Sequence, residues 1–241
     1  MFKNLEKMKN RNRKTKITFT FDDGKISVFK NAFPILKEFG LTGCLAVVVD
    51  FIGEKDTCFS WNQLQEMVDA GWAVVSHTCN HNLTNLTPQK IWHEVVESKE
   101  ILNAKGFPSD IFIMPGGPWQ HEQPEKIGPE SEFLQTVREH YRAYMVGSSN
   151  SVIKLPLDPP YEFPRFGCEC YNMEQFNPPL AKIKNTIDQA VSKGDWCHLG
   201  WHDISGQHIK TFTETVAHVM TYVNAGMMEP ATISEVLDIT E

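Results

Sequence analysis

The chain has 241 residues, of which 41% are hydrophobic, and a formal net charge of −7 at pH 7. This length and composition are typical of a globular protein with a sizeable core. The excess of acidic residues argues against nucleic acid and anionic membrane surfaces as partners, because both attract a basic face. No segment approaches the ~18 consecutive apolar residues of a membrane span.

Basic residues are concentrated at the N-terminus. We interpret residues 1–15 as a basic, solvated tail, followed by a single domain over residues 16–241. No apolar run follows the tail before the first strand, so the tail lacks the form of a secretory signal, and we expect a cytoplasmic protein.

The six cysteines form no Cys-x-x-Cys pair. We expect them to be mostly reduced and buried, and their spacing does not support a zinc–thiolate site.

Predicted strands and helices alternate along the chain. Apolar and threonine residues alternate over residues 16–21, which indicates a strand. Further strands are predicted at residues 45–49, 72–76, 111–114, 141–146 and 196–201, and a short one from Phe166. The helical spacing of apolar residues and the capping signals predict helices at residues 28–39, 60–71, 87–106, 133–140, 178–194 and 211–224.

This alternation predicts parallel strands joined by crossover helices, and the number of strands favours a barrel over a short open sheet. Residues 150–164 are rich in proline and show no period, so we predict a long surface loop there. In barrels of this kind, chemistry gathers at the carboxyl ends of the strands. Polar side chains stand at three such ends: Asp22 with Asp23, His77, and His202.

The first of these strand ends carries two adjacent carboxylates. Like charges in contact raise each other's pKa, so an aspartate pair is costly unless a cation lies nearby. His77 and His81 are four residues apart just past another strand, which lets both imidazoles reach one ion at ~2.0–2.1 Å. With one carboxylate from the first strand they would form a catalytic set of three protein ligands with open positions. The alternative is solvated aspartates and a histidine pair without a metal.

Three segments resemble the signature motifs of one family. Residues 20–24 (Thr-Phe-Asp-Asp-Gly), 77–81 (His-Thr-Cys-Asn-His) and 199–203 (Leu-Gly-Trp-His-Asp) are similar to the first, second and fifth motifs of the NodB-like polysaccharide deacetylases, carbohydrate esterase family 4. They occur in the family's order, and the likeness runs from about residue 16 to the final helix. The resemblance implies an α/β fold, a deformed, incomplete (β/α)7 barrel, with one divalent metal ion.

The resemblance also assigns roles to individual residues. Asp23, His77 and His81 would bind the metal, Asp22 would be the general base, and His202 would be the general acid. The ligand types favour zinc, with cobalt or nickel able to substitute. The metal would lower the pKa of its water and polarise an amide carbonyl. Asp22 would take a proton from that water, and His202 would give one to the departing amine.

The third motif departs from the family pattern Arg-x-Pro-Tyr-Gly. Residues 113–117 are Ile-Met-Pro-Gly-Gly, so Ile113 stands where the arginine would be. The backbone N–H of Gly116 could still support the oxyanion. The arginine that fixes the base must come from elsewhere. Arg165 is the best candidate and Arg142 is the runner-up.

Aromatic residues near these motifs are candidates for stacking on a sugar ring. Trp201 is the best placed because it precedes His202, and Trp119 and Tyr161 are the others.

We therefore predict a metal-dependent hydrolase that removes an acetyl group from an N-acetylated amino sugar or polysaccharide. One alternative is a hydrolase of a small non-carbohydrate amide or an O-acetyl ester. Another is a non-catalytic sugar-binding protein, against which the retained base and ligands argue. The lack of a signal segment favours a small intracellular substrate over a cell-wall polymer. The sequence does not predict the oligomeric state.

Overall fold

The computed structural model describes residues 14–116, 127–148, 152–155, 161–169 and 177–238. Within these residues the strands are β1 (Thr15–Asp22), β2 (Cys44–Val47), β3 (Ala73–Ser76), β4 (Ile111–Ile113), β5 (Ala143–Ser148), β6 (Tyr161–Gly167), β7 (Trp196–Trp201) and β8 (Met228–Pro230). The α-helices are α1 (Phe33–Glu38), α2 (Trp61–Asp69), α3 (Pro88–Trp92), α4 (Ser98–Ala104), α5 (Glu132–His140), α6 (Leu180–Lys193), α7 (Gln207–Asn224) and α8 (Ile233–Asp238). A π-helical turn at Val28–Ala32 precedes α1, another at His93–Glu97 joins α3 to α4, and a 3-10 turn covers Val49–Phe51.

Strands β1 to β7 form a parallel barrel. Each strand from β1 to β6 pairs with the next one along the chain, and β7 pairs with β1, so the pairings run round the whole ring. The eighth strand, β8, adds in parallel to the start of β1, where Thr15 is in register with Met228. The predicted seven-stranded β/α barrel is confirmed.

Side chains of β1 alternate between the two faces of the barrel wall, as the period of two requires. The outward residues are Ile17, Phe19 and Phe21, which belong to the core cluster shared with the surrounding helices. The inward residues are Thr18, Thr20 and Asp22, which form hydrogen bonds with Trp196, His198 and Arg165. This alternation places Asp22 inside the barrel at the carboxyl end of its strand.

The amino end of the barrel is filled by α8. Its buried residues Ile233, Val236 and Leu237 form one cluster with inward residues of the barrel, and the N–H of Ile233 donates to the Sγ of Cys44 at 3.4 Å. Neither β8 nor α8 is predicted from the sequence. Because the amino end is closed by packed side chains, chemistry is confined to the carboxyl end.

The predicted surface loop at residues 150–164 is wrong for the part that the structure describes. Strand β6 begins at Tyr161, inside that range, and Ile153 and Leu155 are buried. Proline is tolerated within β6 because Pro164 lies opposite the register shift between Met145 and Ser148 of β5, where the ladder is already interrupted. The proline content and the lack of a period in this segment led to the loop prediction, although the segment contains the start of a bulged strand.

Several local predictions are confirmed elsewhere, and one helix start is shifted. The predicted capping box opens α2: the N–H of Gln63 donates to Ser60 Oγ at 3.3 Å, and the N–H of Ser60 donates to Gln63 Oε1 at 2.7 Å. Helix α7 begins four residues before the predicted start. Five cysteines are reduced and buried, as predicted: Cys44, Cys58, Cys79, Cys168 and Cys197.

Some predictions fall outside the described residues. These concern residues 1–13 of the basic tail, Trp119, Cys170 and the side chain of Tyr161. Among the helices that are described, none combines the length and the apolar character needed to cross a bilayer.

Candidate active site

Three other predicted site residues, His77, His202 and Arg165, meet around the carboxylate of Asp22. Its Oδ2 lies 3.8 Å from His77 Nε2, just past β3, and 3.6 Å from His202 Nε2, just past β7. Its Oδ1 accepts a hydrogen bond from Arg165 Nη1 of β6 at 2.6 Å. The four side chains come from separate strands and converge because the carboxyl ends of parallel strands share one edge of the barrel.

Asp23, His77 and His81 form a second cluster directly beside the first. Asp23 Oδ1 lies 3.6 Å from His77 Nε2 and 3.4 Å from His81 Nε2, and one ligand atom from each residue lies within 4.8 Å of the other two. Asp23 Oδ1 is buried and has no hydrogen-bond partner among the described residues. One orphaned carboxylate oxygen facing two imidazole nitrogens fits a divalent cation.

The protonation state of His77 also suits a ligand to a divalent cation. Burial lowers the pKa of His77 to about 4, so its imidazole is neutral at neutral pH. Its Nδ1 lies 2.6 Å from the backbone oxygen of Ile113, which can only accept. The proton therefore belongs on Nδ1, and Nε2 presents its lone pair to Asp23 Oδ1 and the space between them.

The side chains of Asp23 and His81 are oriented by a backbone in an unfavourable conformation. Asp23, Thr78 and His81 have φ values of 67°, 73° and 65°, in the left-handed region that non-glycine residues rarely adopt. Gly24 continues the turn with φ 69°, and a Cβ there would stand 2.5 Å from Ile52 Cδ1. The strain lies at the ligand residues themselves, so the surrounding contacts must hold them in place.

Asp22 and Arg165 form a buried ion pair with two hydrogen bonds. Burial alone would raise the pKa of Asp22, but the charge and hydrogen bonds of Arg165 outweigh it and hold that pKa well below its usual range. Room for the guanidinium comes from Gly200, where a Cβ would stand 2.5 Å from Arg165 Nε. The sequence placed this arginine correctly beside Asp22, although 143 residues separate the two.

Arg142, the runner-up, is wrong. Its guanidinium pairs with Asp110 at 3.0 Å and with Asp238 of α8 at 2.6 Å. Because α8 closes the amino end of the barrel, Arg142 lies at the opposite end from Asp22.

His202 is held by a residue that sequence reasoning missed. Its Nδ1 donates to the backbone oxygen of Glu169 at 2.7 Å, which leaves Nε2 facing Asp22. The buried carboxylate of Glu169 accepts the N–H groups of His202 at 2.8 Å and Asp203 at 2.6 Å. Burial raises the pKa of Glu169. In the sequence, Glu169 is marked only as a carboxylate near the end of a strand. Its partners are backbone groups, which a sequence motif does not reveal.

Trp201 is wrong as a stacking residue. Its side chain is fully buried and packs edge-on against Phe212 of α7, with ring centroids 5.1 Å apart. The strand period explains the error: Gly200 faces the barrel interior, so Trp201 faces the helices.

Gly116 follows β4 at the edge that carries the site and is exposed, with φ 62°. Its N–H stays a predicted oxyanion donor.

In sequence, part of the chain matches one family model and one curated protein. Residues 9–126, just under half of the chain, match the family model of polysaccharide deacetylase. Over 88 residues the chain is 33% identical to YxkH of Bacillus subtilis (strain 168), whose name places it among the polysaccharide deacetylases. That match covers 36% of this chain and 31% of YxkH, so the chain spans only about a third of that relative.

Solved structures share the barrel. A family 4 acetyl xylan esterase from Clostridium thermocellum, in complex with a cobalt ion, superposes with a TM-score of 0.57 at 16% identity, over 93% of this chain and 91% of that one. A family 4 pseudoenzyme from Bacillus anthracis superposes with a TM-score of 0.61 at 13% identity, over 94% of this chain and 66% of that one. At these identities the likeness concerns the fold alone. The resemblance is confirmed: part of this chain is similar in sequence to polysaccharide deacetylases, and its barrel is similar to that of solved structures from family 4.

Proposed function

We propose that this protein is a metal-dependent hydrolase that removes an N-acetyl group from an amino sugar or a sugar polymer. The single catalytic domain would begin at Thr15, one residue before the predicted boundary, because Thr15 of β1 is buried and pairs with Met228 of β8; the residues before it would form the basic tail. The observation that carries the proposal is the contact between two clusters. A buried, ionised Asp22 lies within 4 Å of His77 and His202, next to a carboxylate oxygen of Asp23 that lacks a hydrogen-bond partner among the described residues.

Asp23, His77 and His81 would hold the ion, most favourably zinc given one carboxylate and two imidazoles, with cobalt or nickel as substitutes. When bound, such an ion supplies Lewis acidity and a water of lowered pKa. The fold neighbour from Clostridium thermocellum was solved with cobalt, which supports a divalent ion on this scaffold.

The remaining steps belong to side chains of this chain. Asp22 accepts a proton from the attacking water, and Arg165 keeps its carboxylate ionised and fixed. The water oxygen forms a bond to the acyl carbon, the bond between that carbon and the nitrogen breaks, and the departing amine takes a proton from Nε2 of protonated His202. Glu169 holds His202 through Nδ1 and the backbone, so that Nε2 stays directed into the site. The products are acetate and a free amine.

The barrel alone does not separate an enzyme from a binding protein, since one fold neighbour is a pseudoenzyme. Support for an enzyme comes from the residues: the predicted base, acid and ligands are all present and lie together. An O-acetyl ester is the second candidate substrate class, because a neighbour on the same scaffold is an acetyl xylan esterase.

The proposal is tested by incubating the zinc-loaded protein with N-acetylglucosamine, its oligomers, small N-acetylated amides and acetylated xylan, and measuring released acetate and amine. We expect amine release that stops after chelation and returns with zinc. If the protein holds one metal ion per chain and cleaves none of these compounds, the sugar-binding alternative replaces the enzyme.

Replacing Arg165 by lysine should slow deacetylation by about 10- to 100-fold, the usual effect of losing a group that orients another. Lysine keeps the charge but cannot make the bidentate contact with Asp22. Arg165→Ala should cost about 3–5 kcal/mol of stability as well, because it leaves a buried charge unpaired. Metal content should stay the same in Arg165→Lys. The pKa of Asp22 should rise, so the acid limb of the pH–rate curve should move to higher pH.

Arg142→Lys is the matched control, because that arginine pairs at the other end of the barrel. Its rate and pH profile should equal those of the wild type. An unchanged rate and pH profile in Arg165→Lys and Arg165→Ala would remove the arginine from the mechanism.

Replacing His202 by alanine should separate substrates by their leaving groups. A departing amine needs a proton, whereas the leaving group of an activated aryl acetate does not. We expect a loss of about 10²–10⁴-fold on an N-acetyl sugar and a clearly smaller loss on the aryl ester. Equal losses on both substrates would mean that His202 does not act as the acid.

A further inference from the structure

The turn between His77 and His81 directs two backbone N–H groups at one buried carboxylate. The N–H groups of Cys79 and Asn80 donate to Glu94 Oε2 at 3.1 Å and 3.0 Å. Glu94 lies on the π-helical turn His93–Glu97 and is fully buried. It therefore contacts the turn from the side of the helices and does not belong to the candidate ligand set.

Other contacts restrain the same turn. Thr78 Oγ1 accepts the N–H of His81 at 3.0 Å. The backbone oxygens of Thr78 and Cys79 accept the N–H groups of Val49 at 3.2 Å and Asp50 at 2.9 Å. The carbonyls are thus held by the 3-10 turn after β2, and among the described residues the acceptor for the two successive N–H groups is Glu94.

The turn needs such a restraint because of its backbone. Thr78 and His81 both adopt positive φ, and a β-branched threonine is especially unfavourable there. His81 is also the most exposed of the three candidate ligands, with 36% of its side chain accessible, so packing restricts it least. Its position follows from the shape of the turn that carries it.

Apart from its bonds to the turn, no contact in the described structure offsets the free-energy cost of burying the Glu94 carboxylate. No lysine or arginine in the described parts of the chain forms an ion pair with it, and its Oε1 has no hydrogen-bond partner there. A buried carboxylate without a cation is costly. Its contacts with the turn account for the one oxygen that is satisfied.

We propose that Glu94 is a positioning residue for the metal site: it fixes the strained turn at residues 78–81 and so preforms the position of His81. This inference rests on the proposed metal function. Removing Glu94 should free the Cys79 and Asn80 N–H groups, let the turn relax and weaken metal binding, without removing any ligand.

The test compares Glu94→Ala, Glu94→Asp and Glu94→Gln. Zinc affinity is measured by competition with a chelator, and amide hydrogen exchange is measured in the metal-free protein. Alanine should weaken zinc binding by about 10- to 100-fold, the range for partners that orient a ligand. Aspartate keeps the charge but is one methylene shorter, so it should also bind more weakly. Glutamine keeps an acceptor oxygen at the right reach and should retain most of the affinity. In the alanine variant the Cys79 and Asn80 amides should exchange faster.

Two controls separate positioning from general stability. Glu97→Ala removes a partly exposed acid, paired with His93, from the same π-helical turn and should change neither readout. Val95→Ala opens a cavity at a fully buried neighbour of Glu94, so it should lower the melting temperature and leave zinc affinity unchanged.

If Glu94→Ala and Glu94→Asp bind zinc like the wild type and protect both amides equally well, the proposal is overturned. Should alanine prevent folding, the aspartate variant decides. If the wild type binds no zinc, the proposed function fails instead, and amide exchange in the metal-free protein still decides whether Glu94 holds the turn.

Discussion

Asp22→Asn is expected to keep the fold and the metal and to lose about 10²–10⁴-fold in deacetylation rate, the usual contribution of one general base. Asparagine has nearly the same shape and can still accept a hydrogen bond from Arg165, but it cannot take a proton from water. Asp22 lies outside the proposed ligand set, so zinc stoichiometry should not fall. The measurement is the turnover rate on an N-acetylated sugar beside the metal content of the same sample.

Asp50→Asn is the matched control. Asp50 is an exposed acid in the turn after β2, at the same end of the barrel, and its side chain has no proposed role. It should leave the rate and the metal content unchanged. Full turnover by Asp22→Asn on every active substrate would show that the base is another group.

His77→Ala should lose the metal and, with it, the activity. His77 is fully buried, and its Nε2 faces Asp23 Oδ1, so no solvent-exposed neighbour can take its place without a large rearrangement. The loss of metal affinity should exceed the about 10- to 100-fold range that follows removal of an outer-shell partner. Elemental analysis and chelator competition measure this without reference to substrate.

His93→Ala controls for the loss of an imidazole from the same region. His93 is partly exposed, and its Nδ1 lies 2.8 Å from Glu97 Oε2, which satisfies it away from the site. One metal ion per chain should remain. Stoichiometric metal in the double variant Asp23→Ala/His77→Ala would rule out the proposed ligands.

Patterns with a period or a motif were predictable from the sequence. The alternation of strands and helices gave the barrel, and strand-end polar residues gave the two clusters around Asp22 and Asp23. Both follow from local rules, because the period of a strand and the convergence of strand ends need no knowledge of partners.

Features that depend on register or on backbone partners were not predictable. The side of the barrel wall that Trp201 faces depends on which residue of β7 points inward. Strand β6 was hidden because a bulge accommodates Pro164. Glu94 and Glu169 bind backbone N–H groups, and such partners leave no mark in the sequence. Arg142 precedes β5 and Arg165 lies near the end of β6, so the two occupy opposite ends of the barrel.

The last strand and helix also determine when the barrel can be completed. On one side β1 pairs with β2, but on the other it pairs with β7 and β8, and Thr15 pairs with Met228 across almost the whole chain. During synthesis β1 can pair with β2 early, but its other edge emerges long before β7 and β8 and stays unpaired until they arrive. Such distant pairing predicts slow closure of the ring, with the edge of β1 that pairs with β7 protected late in refolding. The active site is completed at the same late stage, because Asp22 at the end of β1 meets His202 only after β7 has paired with β1.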